Sequence, residues 1–265
     1  MRVVKWDPII REINALNQRG GRMLSVVDLL DAGTLDLRLT AYLMRSIGRG
    51  ASILACAGPG GTGKTTLMAA LLCFLPPNGR IQVVEEAEPL FWYEEQTDPH
   101  IPTWFLSHEL GPGFWYSYLW GEGARVFLSM TNENRFCATT VHADSLPELR
   151  SILLGRGIGM SPDDFARLDL ILFMRALRGR GFAGLQRRVT EVFVATGNAE
   201  NSHRRICYWD PKTDGFVWEA GEREGAGQPY YKFLQSLRDR QIVTIEDVRR
   251  EVVFFYQQEN CIMQN

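Results

Sequence analysis

The sequence predicts an α/β fold with a mostly parallel sheet and a small α+β appendage at its C-terminal end. Three observations carry that expectation. Residues 57–66 read AGPGGTGKTT and place Gly58-x-x-x-x-Gly63-Lys64-Thr65 directly behind the apolar run 52–56, the strand–loop–helix setting in which this spacing cradles phosphate. A helix, the turn Pro76-Pro77-Asn78-Gly79 and a strand over 81–85 follow, which is a βαβ crossover. Finally, a 265-residue chain that is 45% hydrophobic and 23% charged can bury one large core with an appendage, or two small ones.

The phosphate loop gives the fold its chemistry. Gly58, Gly60, Gly61 and Gly63 let the backbone turn with φ > 0 and bring successive N–H groups toward an anion, and the helix opening near Lys64 adds its positive end. Gly58, Pro59, Gly60, Gly61, Thr62, Gly63, Lys64, Thr65 and Thr66 are therefore the expected nucleotide cradle for ATP with Mg²⁺. Lys64 would reach the β/γ-phosphates and Thr65 would ligate the metal. The apolar strand before the loop and Leu67-Met-Ala-Ala-Leu-Leu72 after it favour this over a structural glycine turn.

Bulk properties narrow the class. A net charge of −2 and a pI near 6.1 argue against nucleic acid as the partner. No apolar run is long enough to cross a bilayer and the N-terminus lacks the apolar segment of a signal peptide, so a cytoplasmic location is expected. Cys56, Cys73, Cys137, Cys207 and Cys261 form no C-x-x-C pair and read as buried reduced thiols.

In chain order, Asp7-Pro8 opens a helix with Ile9, Ile10, Ile13 and Leu16 on one face, closed by Gly20-Gly21. Residues 1–23 thus form a leading helix and linker. Helices over 26–30 and 37–47 are separated by Asp31-Ala-Gly-Thr34 and ended by Gly48-Arg-Gly50. The helix behind the phosphate loop runs on over 67–74, and the strand over 81–85 ends in Glu85-Glu86. Residues 88–113, rich in Pro, aromatics and acids, show no clean period and read as a long loop beside the site. Residues 114–120 read as a buried strand, 122–130 as a helix, and 136–142 as a strand ending in polar residues. Ser145 with Glu148 three residues later opens the next helix. Strands over 168–177 and 188–195 flank a Gly/Arg-rich turn and complete a core domain of residues 24–198. The arginines Arg175, Arg178, Arg180, Arg187 and Arg188 there read as hairpin charges facing water or a neighbouring subunit. The appendage, 199–265, has strands over 205–209 and 216–218 and helices over 230–238 and 245–256, the last capped by Thr244.

Several short motifs in one order carry a resemblance. Leu24 through Thr34, Thr40-Ala-Tyr-Leu43, the phosphate loop, Phe74-Leu-Pro-Pro77, Arg80 through Glu88, Pro99-His100 with Trp104, and Ala138-Thr-Thr-Val-His142-Ala-Asp-Ser145 together resemble the archaeal branch of the type II/type IV secretion ATPases. That family drives archaeal pili and archaella and includes bacterial pilus motors. The match continues through Arg187-Arg-Val-Thr-Glu191, Tyr208-Trp-Asp-Pro-Lys-Thr-Asp214 and the closing helices, so it spans 24–256.

The resemblance implies a RecA-like P-loop NTPase core working as a homo-oligomer, a hexameric ring with ATP between neighbours, against a membrane platform protein of a secretion or pilus system. It assigns Glu85 and Glu86, with Glu88, to an acidic box that positions water and Mg²⁺, and His142 to a histidine box sensing the γ-phosphate. The residues themselves agree on the acidic box, since a carboxylate ending a parallel strand beside the phosphate loop sits where nucleotide chemistry occurs. A solvated acidic strand end and a merely satisfied histidine are the plain alternatives.

Three departures stand out. Counting back from His142 without gaps puts Tyr116-Ser117 at the family's Walker B Gly-Glu and Leu119 at its following Arg, which leaves the pair degenerate. A gapped register puts Gly121-Glu122 there; the ungapped one is preferred because Glu122 then opens the next helix. No Lys or Arg occurs between Arg80 and Arg125, where trans-acting arginines are expected, and Glu133-Asn134-Arg135 replaces the family's Thr-Gly-His. The family's large N-terminal domain is also expected to be missing, since 23 residues precede the match. Slow hydrolysis with Glu85 as the base follows from these losses. The rivals are a non-hydrolysing nucleotide-binding subunit of a membrane-associated assembly and a small P-loop phosphotransferase. The latter would need paired Arg and acid groups near Glu85, which this Arg-poor interval does not offer.

Overall fold

A computed structural model describes residues 7–17, 20–58, 60–84, 97–113, 117–131, 134–178, 184–219 and 227–263, with side chains of the last helix to residue 259. Helix starts follow their capping residues. Asp7 accepts from Ile9 N at 2.9 Å with Pro8 in the first turn and begins α1 (Pro8–Ala15). Ser25 and Asp28 form a complete capping box on α2 (Val26–Asp31), and Asp36 caps α3 (Leu37–Gly48). β1 (Ile53–Cys56) then runs through the glycine loop into α4 (Lys64–Leu72).

The remaining elements are β2 (Arg80–Val83), β3 (Thr103–Leu106), β4 (Glu109–Leu110), β5 (Tyr118–Leu119), α5 (Gly121–Ser129), β6 (Arg135–Val141), α6 (Leu146–Leu154) and α7 (Pro162–Phe165). They are followed by β7 (Leu170–Arg178), β8 (Leu185–Ala195), β9 (His203–Asp210), β10 (Gly215–Trp218), α8 (Gln228–Asp239) and α9 (Ile245–Met263). The sheet order is β10-β9-β8-β7-β1-β6-β3-β2, with β4 on β6 and β5 on β4. From β2 to β7 the main strands are parallel, and from β7 to β10 they are antiparallel. This is the expected α/β core with a mostly parallel sheet around the strand that precedes the glycine loop.

Strand periodicity divides the interior. Ile53 and Ala55 of β1 join Leu170, Leu172 and Met174 of β7 in a core covered by α1 to α4, α8 and α9. Leu54, Cys56, Ile171 and Phe173 face the other way, into a core covered by α5, α6 and α7. α4 is enclosed: residues 67–72 are all fully buried between the sheet and α1, α2 and α3. The described cysteines, Cys56, Cys73, Cys137 and Cys207, are free and buried.

Two expectations need correction. The supposed loop over 88–113 contains β3 and β4. β3 is buried at every position, and a strand covered on both faces shows no polar alternation to reveal it. β3 pairs with both β2 and β6, so the crossover from β1 through α4 lands at the sheet edge. The buried strand expected over 114–120 is the two-residue β5, while 114–116 lie outside the described residues. Across the expected boundary at 198/199 the sheet continues, because β9 pairs with β8.

Candidate functional site

The loop between β1 and α4 is held from β6. Gly58 N donates to Asp144 Oδ1 at 2.7 Å, and Asp144 N donates to Glu148 Oε2 at 2.7 Å. Ser145, the N-cap of α6, accepts from Glu148 N at 3.4 Å, so one cap at the start of α6 also fixes the start of the loop. A Cβ at Gly58 would lie 2.1 Å from Asp144 Oδ2, so a side chain there would turn this exposed carboxylate off the Gly58 N–H. Gly61 (φ 78°) and Gly63 (φ 100°) take the left-handed backbone that turns the loop into α4. Sequence reasoning named Asp144 within a motif but gave it no role.

Lys64 and His142 meet above this loop. Lys64 is 5% exposed, and its Nζ lies 3.3 Å from both ring nitrogens of His142. Burial lowers the Lys64 pKa, against the opposing pull of Glu109, Cys56 and Asp144. His142 Nδ1 contacts Gly58 O at 2.5 Å, and because a carbonyl only accepts, that nitrogen carries a proton. Nε2 lies 3.0 Å from Glu109 Oε1.

Glu109 is the residue the sequence reading missed. It follows β3 in β4, where the backbone is pinned from several sides. His108 N donates to Ser117 O at 2.9 Å, Thr140 Oγ1 donates to His108 O at 2.9 Å, and Leu110 pairs with Val141 of β6. Glu109 is opposite Tyr118 in the β4–β5 pair, and the Tyr118 hydroxyl hydrogen-bonds to its carboxylate. Burial, the Glu109 charge and this hydrogen bond raise the Tyr118 pKa. The available signal was Thr103-Trp-Phe-Leu106, an apolar strand running into Ser-His-Glu109 ahead of the histidine strand.

These residues surround a cavity of about 610 Å³, lined by Gly60 through Thr66, Glu109, Tyr118, His142 and Arg187, with Met23 and Leu24 on its apolar side. It is within the usual range for small-ligand sites. The loop fits a polyphosphate: its first glycine is capped by Asp144, its left-handed glycines turn the chain into the N-terminus of α4, and its lysine makes no ion pair with a carboxylate among the described residues. Thr65 lines the same cavity and is available to Mg²⁺, which ordinarily takes few protein oxygens beside those of phosphates.

The other expected site residues divide. His142 and the described loop residues converge. Glu122 does not reach the cavity; its side chain is 81% exposed and pairs with Arg125 at 3.3 Å. Ser117, at the favoured Walker B position, is buried with φ 55°, and its Oγ donates to Val84 O at 2.7 Å. Pro59, Glu85, Glu86, Glu88 and Tyr116 lie outside the described residues. Two of the hairpin arginines depart from expectation: Arg188 is buried against Asp214, and Arg187 lines the cavity.

No protein-family model matches the chain. An uncharacterized protein of Methanocaldococcus jannaschii, MJ0900, is 25% identical over 276 residues, covering 90% of this chain and 48% of its own length. The chain thus spans about half the length of that curated relative. Among solved structures, the VirB11 ATPase from the Brucella suis type IV secretion system, in complex with sulphate, aligns at a TM-score of 0.41 and 18% identity, covering 71% of this chain and 56% of that one. The Legionella pneumophila ATPase DotB aligns at a TM-score of 0.41 and 12% identity, covering 78% of this chain and 58% of that one. No helix among the described residues is long and apolar enough to cross a membrane.

Proposed function

We propose that this chain is a Mg²⁺-dependent ATPase in which Glu109 orients the attacking water. The supporting observation is the Glu109–His142–Lys64 contact, which brings a carboxylate to the mouth of the phosphate loop at the carboxyl ends of parallel strands. In this reading the loop N–H groups and Lys64 hold the phosphates, and Thr65 gives the metal its protein oxygen. The metal, when bound, neutralises charge developing on phosphate oxygens. Glu109 accepts a hydrogen bond from the water and aims it. His142 holds Glu109 in place and, through the Gly58 carbonyl, ties it to the loop.

The ordered motifs from 24 to 256 support the narrower reading, a motor of secretion or pilus assembly. There the chain acts in the cytoplasm as a hexameric ring against a membrane platform protein. Glu109 supplies this reading with a carboxylate beside the loop, while the absence of Lys and Arg over 81–124 keeps slow turnover as the expectation.

The test is phosphate release by the purified protein, with its oligomeric mass measured alongside. Mg²⁺-dependent turnover in an assembly larger than a monomer is expected, falling at least 100-fold in Glu109→Gln while ATP still binds. ATP binding without turnover in any oligomeric state would overturn this reading in favour of a non-hydrolysing subunit.

A further inference from the structure

Arg187 and Arg188 are neighbours on β8 with opposite surroundings. Arg188 is 5% exposed, grips Asp214 through two bonds of 2.8 and 3.0 Å, and donates to Ala32 O at 2.9 Å. Its charge is satisfied. Arg187 faces the phosphate-loop cavity, and its guanidinium has one polar partner among the described residues, the Gly61 carbonyl, 3.3 Å from Nη2. That is a long bond to a neutral acceptor. Its stem lies across the loop, with Cδ 3.0 Å from the position a Cβ on Gly63 would occupy.

The acids of the cavity are already engaged. Asp28 is held by Arg22 at 2.5 and 2.7 Å and by Ser25 N at 2.7 Å, and Glu109 by His142 at 3.0 Å. Lys64 and Arg187 are thus two basic side chains on the phosphate-loop cavity, neither of them in an ion pair with a carboxylate among the described residues. A guanidinium offers a planar fork that matches phosphate oxygens better than one carbonyl.

We propose that Arg187 is a phosphate-contacting residue acting in cis: when a polyphosphate enters, its guanidinium leaves the Gly61 carbonyl for phosphate oxygens. It thereby supplies, from the same chain, positive charge that residues 81–124 do not contain. The proposal rests on the phosphate-loop reading above.

The experiment measures dissociation constants of Mg-ATP, Mg-ADP, inorganic tripolyphosphate and adenosine for the parent, Arg187→Ala, Arg187→Gln, Arg187→Lys and Lys64→Ala. Melting of each unliganded protein is followed as well. The expected result is at least a tenfold weakening of the phosphate-bearing ligands in Arg187→Ala and Arg187→Gln, partial recovery in Arg187→Lys, and no change for adenosine. Parent-like affinity for ATP and tripolyphosphate in Arg187→Ala would overturn the proposal. So would recovery by Gln equal to that by Lys together with a lower melting point for Ala, because Arg187 would then be a strut for the loop. If the parent binds none of the phosphate ligands and Lys64→Ala changes nothing, the phosphate-loop reading itself fails and this proposal with it.

Discussion

Glu109 Oε1 lies 3.0 Å from His142 Nε2, and the other nitrogen of the same ring meets Gly58 O at 2.5 Å. One imidazole therefore spans from β4 to the first residue of the phosphate loop. Neither contact is local in sequence: 33 positions separate Glu109 from His142, and 84 separate Gly58 from it. The sheet order creates the site by placing β6 between β1 and β3.

Glu109→Gln is expected to lower phosphate release by at least about 100-fold with little change in ATP affinity, since a positioned acid–base group contributes on the order of 10²–10⁴ in rate. Glu122→Gln should leave turnover within about twofold, because its side chain stays in solvent. Steady-state kinetics on both variants decides between them. Retained activity in the first with loss in the second would restore Gly121-Glu122 as the working pair.

Gly58→Ala is expected to weaken Mg-ATP binding several-fold (about 1 kcal/mol), since its Cβ would meet the Asp144 carboxylate at 2.1 Å and turn it off the Gly58 N–H. Asp144→Ala should act to a similar extent, because it removes the same hydrogen bond. Titration with a fluorescent nucleotide compares the two; a wild-type affinity for Gly58→Ala would show that the loop does not need this closure.

Lys64→Met is expected to abolish measurable ATP binding while raising the melting temperature of the unliganded protein. The amine lies 3.3 Å from the His142 ring in a buried setting that lowers its pKa, so its charged form costs stability that an apolar side chain would not. Calorimetry without nucleotide checks the sign, and an unchanged or lower melting temperature would contradict it.

Asp28→Asn is expected to cost about 1 kcal/mol near pH 7, the usual value of a helix cap. Burial pushes the Asp28 pKa up, but the Arg22 hydrogen bond, Ser25 and the Arg22 charge outweigh it and hold it below its ordinary value. A depressed carboxylate contributes stability above its unfolded pKa and loses it as pH falls through the folded one. The difference between variant and parent should therefore shrink below about pH 4. Denaturant unfolding at several pH values measures it.

Arg249→Met is expected to destabilise the protein by about 3 kcal/mol. The side chain is 2% exposed and donates to Asp7 at 2.9 Å, Cys73 O at 3.1 Å and the Leu75 carbonyl. Removing it strands those acceptors behind α4. A change under about 0.5 kcal/mol in denaturant unfolding would show that water replaces the guanidinium.

What could be read in the sequence depended on how local each signal was. The strand–loop–helix around residues 53–72, the cap at Asp7, the helix begun at Val26 and the Ser145–Glu148 pair are signalled within a few residues of themselves, and each element stands where expected. β3 was hidden because Thr103-Trp-Phe-Leu106 is buried throughout and follows an acidic, aromatic stretch without a period. Glu109 was hidden with it, since counting back from His142 landed on Ser117. Ser117 has a structural post instead, its Oγ bonded to Val84 O at the end of β2. Arg187 could not be told from Arg188 by sequence, because only strand register decides which of two adjacent arginines faces Asp214.

The enclosure of α4 sets which part of the site is able to move. A helix with solvent on one side can roll or slide by rearranging exposed side chains, but residues 67–72 are walled in on every side. The phosphate loop is thus mounted on a fixed anvil. Any stroke that accompanies ligand entry has to come from the opposite rim, where β4 and β5 pair over two residues each and the His142 side chain remains 42% exposed.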